Sequence, residues 1–284
     1  MQTAQPLAYM LPEFLESDEA RPIRILAEYL EPHRRFRREH IRDTVVFFGS
    51  ARIRSREACE RQMAAFDRGE RDGRSEREAR ALATRALEWS RYYEDARELA
   101  HRLTTWSKTL PGKCARFVVC SGGGPGIMEA ANRGAQEAGG KTIGLNIRLP
   151  HEQGANPYIT KGLHFEFHYF FMRKFWFAYM ARALVIFPGG FGTLDELFEI
   201  LTLEQTKKLA DRTSIFLYGE DYWDRVLHLD PLVEWGAVSP ADPNLLVRVN
   251  TVDDAFFKLR SSLEVVLGNE TEIEKAPVLA RTRS

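Results

Sequence analysis

Two glycine-rich turns hold most of the chemistry this sequence can offer. One runs Pro188-Gly189-Gly190-Phe191-Gly192-Thr193-Leu194-Asp195-Glu196, the other Cys120-Ser121-Gly122-Gly123-Gly124-Pro125-Gly126-Ile127-Met128-Glu129. Each follows an apolar run and opens a helical pattern. Glycine lets the backbone approach a ligand closely and accept positive φ. The free amides and positive dipole end of the following helix suit a phosphate. Thr193 adds a hydroxyl that can cap the helix or donate to a phosphate oxygen. Neither turn is a dinucleotide fingerprint, since Ile127 stands where that pattern needs glycine. Neither is a P-loop, since no Gly-Lys-Ser/Thr closes the turn.

Charged residues accompany the Pro188–Glu196 turn, the second in chain order. Glu196 and Glu199 are three apart and share a helix face. Glu196 lies one turn into the helix, beside any phosphate bound at its start. Its spacing leaves two roles open: a working carboxylate, or compensation of the helix dipole. Upstream, Tyr169-Phe170-Phe171-Met172-Arg173-Lys174 begins another helix. A guanidinium at Arg173 can pair with Glu196, hold a phosphate, or stabilise a departing base. Lys174 is either a second anion contact or a solvated charge. His164, Glu166 and His168 alternate onto one strand face, too far apart to share an ion, with no cysteine or aspartate cluster beside them. No metal site is expected. Ser121 lacks the Gly-x-Ser-x-Gly context of a nucleophile elbow.

Regular alternation of elements must position these groups. Strands are expected at 44–48, 116–120, 142–145, 163–167, 183–187, 214–218 and 245–249. Helices are expected at 76–109, 126–138, 168–182, 192–207, 222–235 and 252–267. Strands alternating with helices of this length imply an α/β fold, a Rossmann-like doubly wound parallel sheet with helices on both faces. Ligands of such sheets bind at the carboxyl ends of the strands, where both glycine turns lie. The expected organisation is a charged helical extension over 1–43, one domain over 44–267 with a charged insertion near 54–80, and a frayed polar tail over 268–284. Arg21 to Arg42 carries seven arginines against three glutamates. It reads as a solvated helix docked through Ile23, Ile25, Leu26 and Leu30. The 76–109 helix reads as packed through Ala81, Leu82, Ala86, Leu87, Trp89, Tyr93, Ala96, Leu99 and Leu103.

Composition narrows the partners. The chain has 284 residues, 44% hydrophobic and 28% charged, with 40 Lys plus Arg against 40 Asp plus Glu. Zero net charge gives no field favouring long nucleic acid. No apolar run is long enough for a membrane span. Cys59, Cys114 and Cys120 have no metal or redox spacing, and no secretory signal is legible at the N-terminus, so a cytoplasmic location is expected.

The residues together resemble the LOG ("lonely guy") family, over roughly 44–265. The resemblance rests on Phe48-Gly49-Ser50-Ala51, on Ser121 through Ala130, on Met172-Arg173-Lys174, and on Pro188-Gly189-Gly190 through Glu196, which reads as the family signature PGGxGTxxE. It implies a phosphoribohydrolase that cleaves the N-glycosidic bond of AMP or a cytokinin riboside 5′-monophosphate, releasing base and ribose 5-phosphate without a cofactor. In that reading Arg173 and Glu196 are catalytic. Gly189, Gly190, Gly192 and Thr193 cradle the 5′-phosphate. Ser50, Ser121, Gly122, Gly123 and Gly124 line the nucleotide pocket, Met172 flanks the base, and Lys174 and Glu199 complete the site. The resemblance also implies a homodimer or larger assembly. The rival is a carrier of a nucleotide or of molybdenum cofactor, built on the same turns without turnover.

Overall fold

The computed structural model describes residues 6–69, 75–148, 154–209 and 213–275. The strands are β1 (Thr44–Phe48), β2 (Val118–Ser121), β3 (Thr142–Ile147), β4 (His164–Phe167), β5 (Ala181–Ile186), β6 (Ser214–Tyr218) and β7 (Leu246–Val249). The helices are α1 (Pro12–Glu16), α2 (Arg21–Arg38), α3 (Arg56–Asp67), α4 (Glu76–Ser107), α5 (Ile127–Glu137), α6 (Phe170–Met180), α7 (Phe191–Gln205), α8 (Glu220–Val226), α9 (Asp230–Glu234) and α10 (Val252–Lys275). All seven strands form one sheet in the order β4-β3-β2-β1-β5-β6-β7, and every neighbouring pair is parallel. The expected α/β doubly wound architecture is therefore present.

Alternation along each strand builds two cores. In β1, Val46 and Phe48 face one core, with Trp176 and Phe177 of α6, Leu197 and Ile200 of α7 and Phe36 of α2. Val45 and Phe47 face the other, with Tyr93 and Leu99 of α4, Ile127 and Ala131 of α5 and Leu259 of α10. A sheet buried on both faces reads as continuous apolar runs, which is why its strands are visible in the sequence. Among the described residues no helix is long and apolar enough to cross a membrane.

Several local expectations need correction. β2 begins at Val118 rather than Arg116, because Phe117 takes a left-handed φ of 52°.

 The Phe117 amide donates to Asp43 Oδ1 at 2.6 Å, and the same carboxylate pairs with buried Arg116 at 2.7 Å. A left-handed bulky residue is strained, and this buried pair holds it where the strand would otherwise start. The 222–235 helix is two helices, α8 and α9. Pro231 sits at the start of α9, where its ring and missing N–H are tolerated, whereas inside one continuous helix they are not. α10 continues through Lys275 instead of fraying from Gly268.

The docking stripe of α2 also differs. Ile23, Leu26 and Leu30 are exposed, while Pro32 and Phe36 are buried and Ile25 packs on the core. The true stripe is rotated, because Glu28 belongs to it. Trp176 Nε1 donates to the Glu28 carbonyl at 3.0 Å, and the Glu28 carboxylate accepts from the His168 and Tyr169 amides at 2.7 and 3.3 Å. In α4 the buried stripe holds from Tyr93 to Leu103. Ala81 and Leu82 are exposed, and Ala83 of α4 is buried in their place.

α4 and α5 pack closely because Gly134 lacks a side chain: a Cβ there would lie 1.9 Å from the Arg97 carbonyl oxygen. Gly134→Ala is expected to cost about 1–3 kcal/mol through overpacking, measured as a lower midpoint in urea unfolding. An unchanged midpoint would contradict this close approach.

Candidate functional site

Both glycine turns and the end of β1 meet at the carboxyl edge of the sheet. The Ser50 backbone ties them together. Its amide donates to the Pro188 carbonyl at 2.9 Å, and its carbonyl accepts from the Ile127 amide at 3.2 Å. The Ser50 hydroxyl accepts from the Arg52 amide at 3.1 Å.

The first turn is held from below by a buried polar network. Ser121 Oγ donates to Asn132 Oδ1 at 2.7 Å and accepts from the Gly123 amide at 3.0 Å. Asn132 Nδ2 donates to Thr142 Oγ1 and to the Ile143 carbonyl. Asn156 Nδ2 lies 2.9–3.1 Å from Asn132 Oδ1 and the Gly123 and Gly124 carbonyls. Such a network is stable only when its members are satisfied, and here it uses the Ser121 hydroxyl to shape the turn. Asn132 and Asn156 did not stand out in the sequence. The one available signal was Asn132 itself, a polar residue beside the core-facing Ala130 and Ala131.

The second turn is open. Gly190 occupies the N-cap of α7, and no side chain caps that end, so Thr193 is not a cap. The amides of Gly190, Phe191 and Gly192 meet no acceptor among the described residues. A Cβ on Gly190 or Gly192 would meet nothing within 4 Å. The protein's own packing therefore does not demand glycine at either position, and the bare backbone there is open to close approach. Gly189 is different: a Cβ there would lie 2.1 Å from Thr193 Oγ1. Its carbonyl accepts from the Tyr222 hydroxyl at 2.7 Å, a support contributed by α8.

Arg173 of α6 reaches between the turns. Its Nε donates to the Leu145 carbonyl at 2.8 Å, and its guanidinium lies 5.0 Å from the Phe177 ring centroid. A Cβ on Gly122 would lie 2.7 Å from its Nη2, so the guanidinium fills the space that glycine leaves. Glu196 is 4% exposed, and its Oε1 stands 3.8 Å from Arg173 Nη1. That is attraction between charges without a hydrogen bond. Burial raises the Glu196 carboxyl to about 7, against the pull of Arg173 and Lys174. Burial also lowers the Arg173 guanidinium from its ordinary value, against the pull of Glu196, yet a guanidinium stays charged.

The remaining expected residues are placed as follows. Lys174 Nζ is held by Asp195 at 2.8 Å and Glu199 at 2.6 Å, with Glu196 at 4.0 Å. Burial pulls the Lys174 amine down, but the Asp195 and Glu199 hydrogen bonds outweigh it and the net shift is upward. Met172 is buried in the α6 core and borders the groove against α2. Among the described residues no group of His, Cys, Asp and Glu could hold a metal ion.

The chain is similar to several known proteins. A family model described as "Possible lysine decarboxylase" matches residues 128–259. A rice (Oryza sativa subsp. japonica) protein, "Probable cytokinin riboside 5'-monophosphate phosphoribohydrolase LOGL5", is 31% identical over 145 residues, covering 50% of this chain and 57% of the relative. An Arabidopsis thaliana protein, "Probable cytokinin riboside 5'-monophosphate phosphoribohydrolase LOG6", is 30% identical over 143 residues, covering 50% of this chain and 70% of the relative. The chain belongs to the LOG family. The match to the rice protein takes in little more than half of that protein's length. Among solved structures, the molybdenum cofactor carrier protein of Chlamydomonas reinhardtii superposes with a TM-score of 0.43 at 17% identity, over 78% of this chain and 99% of that one.

The raised Glu196 carboxyl has a consequence for stability. Its folded value lies above the unfolded one, so the stabilisation is full below the ordinary carboxylate range and is lost as pH rises through about 7. Glu196→Gln removes this dependence. The variant is expected to match the wild type near pH 5 and to exceed it near pH 8 by on the order of 3 kcal/mol. Parallel stability curves in denaturant titrations at the two pH values would contradict it.

Proposed function

We propose that this LOG-family chain hydrolyses the N-glycosidic bond of nucleoside 5′-monophosphates, with AMP or a cytokinin riboside 5′-monophosphate as substrate. The observation that carries the reading is a buried Arg173–Glu196 pair beside three amides that are unpaired among the described residues, at the start of a long helix. The amides of Gly190, Phe191 and Gly192, with the Thr193 hydroxyl, bind the 5′-phosphate. The ribose then lies over Glu196. As the C1′–N bond breaks, positive charge grows on the sugar, and the ionised Glu196 carboxylate stabilises it. Glu196 takes a proton from the attacking water, whose oxygen bonds to C1′. The bonding electrons leave with the base, which takes up a proton. Arg173 uses its free N–H groups on the phosphate, the ribose or the departing base.

Decarboxylation fits these residues poorly. A lysine that forms a Schiff base must lose its proton, and Asp195 and Glu199 hold Lys174 in its charged form. We also infer a cytoplasmic homodimer. The three cysteines are free thiols, and Phe170, Phe171, Tyr179, Phe191 and Phe198 form an exposed aromatic face on α6 and α7. An apolar face of this kind marks an interface. Phe198→Glu is expected to convert dimer to monomer in sedimentation velocity, and an unchanged dimer would exclude this face.

The activity test is incubation of the pure protein with nucleoside monophosphates, following free base and ribose 5-phosphate. Glu196→Gln and Arg173→Ala are each expected to lower kcat/KM by roughly 10²–10⁴. The wild-type kcat/KM should rise with pH through about 7 as Glu196 ionises. Absence of turnover with every monophosphate, alongside tight binding of a pterin-type cofactor, would replace the hydrolase with a carrier.

A further inference from the structure

The first glycine turn has a second polar neighbour besides Arg173. Asn146 lies near the end of β3, on the strand face that also carries Thr142 and Gly144. A Cβ on Gly123 would lie 1.9 Å from Asn146 Oδ1, so this carboxamide fills the space beside Gly123 as Arg173 does beside Gly122. Asn146 is 9% exposed, yet its Oδ1 has no hydrogen-bond partner among the described residues. A buried carboxamide oxygen without a donor is unfavourable, and such groups call for an explanation. The fold supplies none: the surrounding network of Ser121, Asn132, Thr142 and Asn156 is satisfied without it.

The surroundings of Asn146 suit a flat, hydrogen-bonding ligand. Ile159 is half-buried, and its Cδ1 would lie 3.2 Å from the same Gly123 Cβ, which sets an apolar side chain beside the carboxamide. The preceding residue, Leu145, gives its carbonyl to Arg173, so Asn146 borders the proposed site. The carboxamide torsion is broad, and rotation about it exchanges oxygen and nitrogen at the ligand-facing edge. An apolar wall with one acceptor and one donor matches a base edge that offers an amino group beside a ring nitrogen.

We propose that Asn146 is a specificity-determining residue that hydrogen-bonds the edge of a 6-aminopurine base. The inference rests on the nucleotide reading of the site. On the N7 edge of the base, the 6-amino group donates to the carboxamide oxygen while N7 accepts from its NH₂. On that edge a 6-oxopurine presents two acceptors, O6 and N7, and satisfies only one of these.

The test compares wild type and Asn146→Ala with adenosine and inosine 5′-monophosphates, measuring both kcat/KM and equilibrium binding. The expected result is at least a tenfold loss for the adenosine nucleotide and less than a threefold loss for the inosine nucleotide, with no fall in thermal midpoint. Removing an unpaired buried oxygen should not destabilise the fold, whereas removing a purely structural residue should do so and leave the ratio between nucleotides unchanged. If Asn146→Ala does not fold, Asn146→Asp, which keeps an acceptor and loses the donor, is read in the same way. Equal losses for both nucleotides, or no loss, overturn the proposal. Should the wild type bind but not cleave, the hydrolase reading fails while the binding ratio still decides the role of Asn146. A wild type that binds neither nucleotide overturns both.

Discussion

A guanidinium and a carboxylate sit out of water, 3.8 Å apart, beneath the meeting point of two glycine turns. Much of the surrounding structure can be understood as the means of keeping them there. Burial penalises both charges, and their attraction does not fully offset the penalty at either one. Arg173 has five N–H donors, of which Nε is committed to the Leu145 carbonyl. The Phe177 ring supports the cation from one side, and Gly122 leaves room on another. The charges are thus positioned without saturating their hydrogen-bonding capacity, which leaves donors for a charged ligand.

Distant parts of the chain hold this geometry. Glu28 on α2 takes the amides just before α6 and so fixes the start of the helix that carries Arg173. Asn156, in the loop between β3 and β4, clamps the first turn through its carbonyls. Tyr222 on α8 holds the second turn at Gly189, and the Ser50 backbone joins both turns to the central strand. Lys174, next to Arg173, is occupied by Asp195 and Glu199 and braces α6 against α7. The two adjacent basic residues therefore do different work: one faces the site, the other binds neighbouring helices.

The glycine turns and the place of Glu196 were legible because their signals are local, whereas pairing with Glu196 was one of three roles the sequence left open for Arg173. Glycines in a row after an apolar strand, and a carboxylate one turn into the following helix, can be read in order along the chain. The strands were legible for a related reason, since a sheet buried on both faces leaves continuous apolar runs. The α2 stripe was not, because its inward face includes Glu28, and a charged residue satisfying backbone amides looks like a solvated one. Asn132, Asn146 and Asn156 were hidden for a related reason: each is polar yet buried, and burial is not marked by residue type.

The sequence by itself determined the order of elements, the doubly wound sheet and the two glycine turns, because each follows from periodicity and from glycine's backbone freedom. Tertiary structure alone decided which polar groups are used up in holding the turns and which remain free. Ser121 and Lys174 are engaged, whereas the Gly190–Gly192 amides and the Asn146 oxygen are unpaired among the described residues. Hydrogen-bond satisfaction and burial depend on neighbours brought together by folding, and residue type and spacing do not record them.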